Sequence, residues 1–398
     1  MSSITITRRT AVGGIAAAAA MPRFAIGQPA NQDIVVGAAQ PLTGIFSFPG
    51  ASLNAGLNDF CAWKNASGGI QGRKLRYVAE DTGYKIDQGV AIFKKIMAAE
   101  KPTFFYGDRT EWCKAVAADA LAAGNVMTSS PSLAGALADP TNMPHHFISG
   151  PTYGAMHEVL MESIARLNEG KAKPKIALVY VESEFGTDGI PASKARAEKL
   201  GLPIVAEIVT KQAGVDVASE VSKLRRARPD VVVFQGYVLT PIPEFVKQMR
   251  EAGLDAQPAG TIWSMDKPTH EAVGAVGTSF MGVSPYRYAS ESEAPMIKTM
   301  RDFVEKNRPG FKGLTFFYIN SWLAGMIFAE VAERCIKADK PFTTANMKAA
   351  LESMTNWDTG GLTGLPVDLS THQIKSGRLY RYDLAQKDVA PASDWIRV

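Results

Sequence analysis

Cysteine is scarce in this chain. Three residues in 398, Cys61, Cys113 and Cys335, cannot make a disulfide scaffold, and their contexts hold no zinc-ribbon spacing. Cys61 and Cys335 fall within helix-like patterns. All three read as small buried hydrophobes, with a Cys61–Cys113 bond as the alternative. Histidine is also sparse, with five residues. His157-Glu158-Val159-Leu160-Met161 misses the H-E-x-x-H pattern because Met161 stands in the fifth position. His145-His146 and His157 read as surface or helix-start side chains, and no metal is expected. The phosphate-cradling G-x-x-x-x-G-K-[ST] loop and the G-x-S-x-G elbow are both lacking, as is a G-x-G-x-x-G between a strand and a helix. No cofactor is therefore expected. Glu182 and Glu184 are spaced like a carboxylate pair, but a solvated or capping role fits them better than acid–base work. Nothing in the chain assembles into a catalytic constellation.

A basic tract is lacking too, although the formal charge is +4. Arg8, Arg9 and Arg23 supply most of that excess, and they lie in a segment without acids. Thr7-Arg8-Arg9-Thr10, the apolar stretch Ala11 to Ala20 and the small-x-small Ala25-Ile26-Gly27 together read as an export signal. The Arg-Arg pair before a mild Ala/Gly-rich core resembles a twin-arginine signal, with Ala11 where a larger apolar residue is usual. Residues 1–30 are assigned to it, with cleavage near residue 27 or 30. The apolar stretch is short for a membrane span, which leaves an anchor as the lesser alternative. No cysteine stands near the cleavage point, so a lipid anchor is not expected. The remaining chain is nearly neutral, which argues against nucleic acid as a partner.

What is present is an alternation of strand and helix. Ile34–Ala39, Leu75–Asp81, Thr103–Tyr106 and Val126–Ser129 read as strands. Leu53, Leu57, Phe60 and Cys61, then Ile86, Val90, Phe93 and Met97, recur at helical spacing, and Glu111–Ala123 continues the pattern. A second series follows residue 150, with strands at Lys175–Val181, Ile204–Val209 and Asp230–Gln235 and helices between them. Thr315–Lys337 reads as a long core helix, because Asn320, Glu330 and Glu333 interrupt its apolar face. Such βαβα order, at a length too great for one ordinary core, predicts two α/β lobes with parallel sheets.

Ligands of such sheets bind beyond the carboxyl ends of the strands. Those segments hold Phe46, Phe48, Trp112, Phe185, Tyr237 and Trp263, with few charges among them. An aromatic-lined pocket with a few placed polar groups suits a small, partly apolar ligand. Lobe core is the competing role for about half of these rings.

The same segments resemble the branched-chain amino acid (leucine/isoleucine/valine) binding protein family, the type I periplasmic binding proteins. Gly37-Ala38-Ala39-Gln40-Pro41-Leu42-Thr43-Gly44 is similar to its opening strand and first cleft loop. Ser67-Gly68-Gly69-Ile70-Gln71-Gly72-Arg73-Lys74-Leu75 resembles its turn into the second strand. Glu80-Asp81-Thr82, Phe185-Gly186, Pro229-Asp230, Gly236-Tyr237 and Arg250 to Leu254 follow in the family's order. The resemblance implies an α/β fold of two doubly wound parallel-sheet lobes joined by a three-stranded hinge. One lobe would hold residues 33–149 plus 283–355, the other 150–282 plus 356–398. It further implies a monomeric periplasmic protein that closes on a small molecule and is read by an inner-membrane ABC permease with its cytoplasmic ATPase.

The departures from the family bear on the cargo. In Phe147-Ile148-Ser149-Gly150-Pro151-Thr152-Tyr153, Tyr153 stands where amino acid binders place an Asp for the ligand's ammonium. Leu133 replaces a Thr, Glu111 or Thr110 replaces a Ser, and Trp263 lies near an acidic position. Tyr84 and Thr110 occupy the positions of the family's N-lobe disulfide. An unpaired buried ammonium costs about 3–5 kcal/mol, so an α-amino acid is disfavoured unless Asp108, Glu111, Glu182 or Glu184 supplies the charge. The expected ligand is an aromatic or hydrophobic carboxylate. The expected contacts are Phe46, Phe48, Arg109, Thr110, Glu111, Ser129, Ser132, Tyr153, Phe185, Tyr237 and Trp263. Arg109 is the candidate carboxylate clamp; pairing with Asp108 or Glu111 is its alternative role. A branched-chain amino acid or amide receptor, and a sensory subunit for a membrane kinase or chemoreceptor, remain as rival readings.

Overall fold

A computed structural model describes residues 32–398 except 212–215, 239 and 278–279. The expected export signal, residues 1–30, lies outside the described residues. Among the described residues the chain builds two α/β units. In the first, strands β1 (Ile34–Gln40), β2 (Leu75–Asp81), β3 (Phe104–Tyr106) and β4 (Met127–Ser129) run parallel in the order β2-β1-β3-β4. Helices α1 (Ser47–Ala66), α2 (Ile86–Glu100) and α3 (Thr110–Ala123) connect them. The register of β1 on β2 runs from Ile34↔Leu75 to Gln40↔Asp81.

Helix α4 (Tyr153–Leu167) opens the second unit. There strands β5 (Ile176–Val181), β6 (Ile204–Thr210), β7 (Val231–Gln235), β8 (Gln257–Gly260) and β9 (Met281–Ser284) alternate with helices α5 (Glu184–Thr187), α6 (Ile190–Leu200), α7 (Ala218–Ala227), α8 (Ile242–Glu251) and α9 (Lys267–Val273). The chain then returns to the first unit as α10 (Pro295–Asn307), α11 (Phe316–Lys337) and α12 (Thr344–Glu352). It crosses back for β10 (Ser376–Asp383), β11 (Asp388–Pro391) and β12 (Ile396–Arg397). The second sheet has the order β11-β10-β9-β8-β7-β5-β6, with β12 on β10. It is not wholly parallel, as the sequence pattern predicted. Strand β9 ends at a crossover and β10 begins after one, so the two run antiparallel, Arg378 facing Ser284 and Arg381 facing Met281.

Composition explains the layering. Strand β7 is Val-Val-Val-Phe-Gln and buried throughout, as expected where helices cover both sheet faces. Strand β6, at the sheet edge, alternates exposed positions with half-buried or buried ones. Helix α11 is buried over most of its circumference and packs along α1. Gly325 sits against Phe60 there, where an added Cβ would come within 2.4 Å of the ring. Trp322 stacks on Tyr318 and meets Phe60 and Trp63 within 5.8 Å. All three cysteines are buried and free. The Cys61–Cys113 alternative fails because α1 packs on α11 whereas α3 packs on α2.

Three passages join the units: β4 to α4, β9 to α10, and α12 to β10. They are bonded to one another. Ile148 N donates to the His372 carbonyl (3.0 Å) and Ile374 N to the Gly150 carbonyl (3.0 Å). The Tyr286 hydroxyl donates to the Ser149 carbonyl and accepts from Asn320 Nδ2 (2.8 Å). Asn320 Oδ1 in turn accepts from the Tyr106 hydroxyl (2.6 Å).

The histidines are not surface groups. All five are at most 1% exposed, because the His145-His146 turn and His372 are covered by crossing segments and His157 lies under β7. His372 Nδ1 donates to the His146 carbonyl (2.7 Å), and His157 Nε2 to Gln235 Oε1 (3.3 Å). Burial holds them neutral. It lowers the pKa of His145 and His157 to about 4 and of His270 to about 3, and lowers those of His146 and His372 as well.

Two predictions follow from this architecture. A histidine whose folded pKa is depressed contributes stability that is complete above its unfolded value near 6.5 and is lost as pH falls toward about 4. Asp108 and Asp266, raised by burial to about 6, and Asp188, raised by burial as well, oppose this by binding protons in the folded state, but three carboxyls do not offset five histidines. The melting temperature is expected to be lower at pH 5 than at pH 7.5 by about 5 °C or more; a pH-independent melt would contradict neutral burial. Tyr286→Phe leaves the Ser149 carbonyl without its donor and should cost about 1–3 kcal/mol in urea unfolding.

Candidate ligand-binding site

The site lies between the two units, at the carboxyl ends of their strands. Phe46 follows β1, Tyr84 follows β2, and Asp108, Arg109, Thr110 and Glu111 follow β3. Pro131 and Ser132 follow β4, Tyr153 opens α4, Ser183 and Phe185 follow β5, and Trp263 follows β8. Together they border a cavity of about 70 Å³ between the two units.

The wall from the first unit combines one cation with two acids. Phe46 stacks on Tyr84 at 4.2 Å, and the Arg109 guanidinium covers the other contact of that ring at 3.7 Å from its centroid. Arg109 Nη2 also donates to the Tyr84 carbonyl. That bond fixes a residue in the left-handed region, φ 60°, which is costly for an aromatic side chain and concentrates at functional sites. Asp108 is buried; its Oδ2 accepts from Thr82 Oγ1 (2.7 Å), while its Oδ1 and Arg109 Nε have no hydrogen-bond partner and lie 4.0 Å apart. Removal from water pushes the Asp108 carboxyl up to about 6, against the pull of Thr82 and Arg109. Arg109 is also the N-cap of α3 and no side chain caps that helix. Its first N–H groups and dipole favour an anion. Thr110 and Ser132 hydroxyls meet at 2.5 Å.

The wall from the second unit is a row of rings. Tyr153 meets Phe185 at 5.2 Å and Phe185 meets Trp263 at 5.7 Å. Gln235 fixes this row from behind: its Nε2 donates to the Phe185 carbonyl (2.8 Å) and its Oε1 accepts from Thr261 Oγ1 (2.9 Å). The two walls are drawn together at several points. Trp263 packs on Phe316 and Phe317 of α11 at 5.8 and 5.5 Å. Tyr153 N donates to the Leu133 carbonyl (2.9 Å), Gly135 N donates to the Asp188 carboxylate (3.1 Å), and Lys114 pairs with Glu184.

Of the residues expected from the sequence, Phe46, Arg109, Thr110, Glu111, Ser132, Tyr153, Phe185 and Trp263 line this space. Three do not. Phe48 falls in the first turn of α1 and points to a separate cavity beside Phe316, edge-on to Phe317. Ser129 is still within β4, fully buried, and donates to the Phe147 carbonyl (2.8 Å). Tyr237 packs on Phe234 and shares a 2.6 Å hydrogen bond with Thr210. Trp112 is lobe core against Phe93 and Phe105. Tyr84, Pro131 and Ser183 line the site without having been expected there. For Tyr84 a signal was available, since it occupies a position where the family's disulfide would stand. Of the four acids named as substitutes for the missing Asp, Asp108 and Glu111 line the space, while Glu184 is engaged by Lys114 and Glu182 is exposed.

A cavity between two hinged α/β lobes, walled by rings and one cation, defines a receptor for a small molecule. The chain belongs to the periplasmic binding protein family, whose model matches residues 33–385. This is a family of binding proteins, not of enzymes. Leu/Ile/Val-binding protein homolog 3 of Brucella melitensis is 23% identical over 348 residues, covering 85% of this chain and 91% of that protein. An amino acid binding protein of Pseudomonas aeruginosa is 26% identical over 61% of this chain and 64% of its own length. Among solved structures, a branched chain amino acid ABC transporter protein from Thermus thermophilus with bound valine superposes with a TM-score of 0.82 at 22% identity, over 92% of this chain and 97% of that one. A fatty acid ABC transporter substrate-binding protein from Thermomonospora curvata superposes with a TM-score of 0.79 at 19% identity, over 92% and 93%. These likenesses establish the fold. No helix among the described residues is long and apolar enough to cross a membrane.

Gly236 tests the support behind Phe185. It has φ 88°, and a Cβ there would lie 2.4 Å from Val181 Cγ1 and 2.7 Å from Gly186 Cα. Gly236→Ala is expected to destabilise the protein by about 2 kcal/mol or more, read by urea unfolding, and to weaken whatever ligand the aromatic row holds.

Proposed function

We propose that this protein is the substrate-binding component of an ABC importer, and that it captures an aromatic or hydrophobic carboxylate by closing its lobes about the hinge. After export to the periplasm and removal of the signal near residue 27 or 30, it acts as an unanchored monomer. Closed and loaded, it presents the ligand to an inner-membrane permease driven by a cytoplasmic ATPase. The observation that carries this reading is the pairing of walls: Arg109 at the uncapped start of α3 faces a space bordered by Tyr153, Phe185 and Trp263. The guanidinium fork and free N–H groups suit a carboxylate. The rings suit an apolar or aromatic body. Tyr153 stands where the family's amino acid binders carry an Asp, which removes the usual partner of an ammonium.

A second reading has its own support. Asp108 and Glu111 line the space and could receive an ammonium, and relatives of this chain are named Leu/Ile/Val-binding proteins. A branched-chain amino acid or amide would then be the cargo.

Thermal shift of ligand-stripped protein separates the two. Benzoate, hydroxycinnamates, short fatty acids, leucine, valine and amides form the panel. A true ligand at 100 times its Kd adds about 2.7 kcal/mol. Aromatic or hydrophobic acids are expected to raise the melting temperature. A strong shift with leucine and none with any such acid would sink the first reading. Arg109→Ala should weaken the best carboxylate at least tenfold, roughly the worth of a charge-assisted pair; unchanged affinity by calorimetry would remove Arg109 from the clamp.

A further inference from the structure

Resting on the carboxylate reading, the geometry around Arg109 carries one step more. The guanidinium is flanked by Asp108 and Glu111, which line the same space. A ligand carboxylate placed on Arg109 would therefore bring a third anion to one cation. Asp108 is the acid that can change state. Its side chain is 1% exposed, its Oδ2 is held by Thr82, and its Oδ1 has no partner and lies 4.0 Å from Arg109 Nε. The other titratable groups near it are Glu111, the Tyr84 phenol and the Cys113 thiol. Tyr153 closes the far side of the space as a neutral ring.

We propose that Asp108 is a specificity-determining residue that admits a carboxylate only while its own carboxyl is protonated, so that capture of an aromatic acid takes up a proton. The proton comes from solvent and sits on Asp108 Oδ1. Neutralised there, 4.0 Å from Arg109 Nε, the carboxyl no longer competes with the ligand carboxylate for the guanidinium. Two carboxylates that share a site do not both ionise. Burial has already moved Asp108 part of the way, to about 6; the arriving anion moves it further. A ligand ammonium would do the reverse, holding Asp108 ionised, and would release a proton on binding only at or below about pH 6.

Titration calorimetry of the purified protein decides this, with benzoate and 4-hydroxycinnamate as probes in two buffers of different ionisation enthalpy. Uptake of about one proton per ligand is expected at pH 7.5, with Kd rising about tenfold per pH unit from pH 7 to 9. Asp108→Asn keeps the shape and a donor but cannot ionise. It should flatten that slope and bind the same acid at pH 8.5 at least about tenfold more tightly than the native protein. Binding of an aromatic acid without proton uptake overturns the proposal and leaves the carboxylate reading intact, as does an Asp108→Asn protein that keeps the slope. Should that variant fail to fold, the proton count on the native protein decides alone. Leucine binding without proton uptake at pH 7.5, and no binding of either acid, overturns the carboxylate reading and this inference with it.

Discussion

The Ser149 carbonyl is where the two lobes are pinned to each other. It accepts the Tyr286 hydroxyl from a second passage between the lobes, and Tyr286 is held by Asn320 of α11, which is held by Tyr106 at the end of β3. Each member of this chain is buried. Breaking any link leaves a polar group with no water to turn to, so the set behaves as a unit. The neighbouring Ile148–His372 and Gly150–Ile374 bonds tie in the third passage. The three passages are bonded side by side and hold Tyr153, three residues beyond Gly150, opposite Arg109.

The site then works by contrast between its walls. One presents a cation, a helix start and two acids; the other presents rings fixed from behind by Gln235. The low polarity of the second wall strengthens the charges of the first. Desolvation raises Asp108 and disfavours any unpaired charge. An ionic group without a partner in this space would bear the full cost of its desolvation.

Much of this was legible in the sequence. Helix and strand periods located the elements, and the strand-end rule brought Arg109, Thr110, Ser132, Phe185 and Trp263 to one place. The misses share a cause: sequence locates a segment, but the direction of a side chain depends on one residue of register. Ser129 ends β4 as read, but its side chain turns into the lobe and bonds the Phe147 carbonyl. Phe48 has already entered α1, whereas Phe46 two positions earlier has not. Tyr84 reaches the site only because its backbone turns left-handed, a conformation that no pattern of apolar residues announces. The histidines were misplaced because burial of a polar ring depends on which distant segment crosses above it. The antiparallel β10 was unseen because its partner, β9, lies some ninety residues upstream, on the far side of an excursion through the other lobe.

Trp263 has a consequence of another kind. Its indole belongs to the second lobe but rests on Phe316 and Phe317 of the first, whereas Trp112 and Trp322 are sealed inside the first lobe's core. Parting the lobes would strip Trp263 of these neighbours and leave those of Trp112 and Trp322 in place. Among the six tryptophans of the chain, Trp263 is thus one whose fluorescence would depend on both lobes at once.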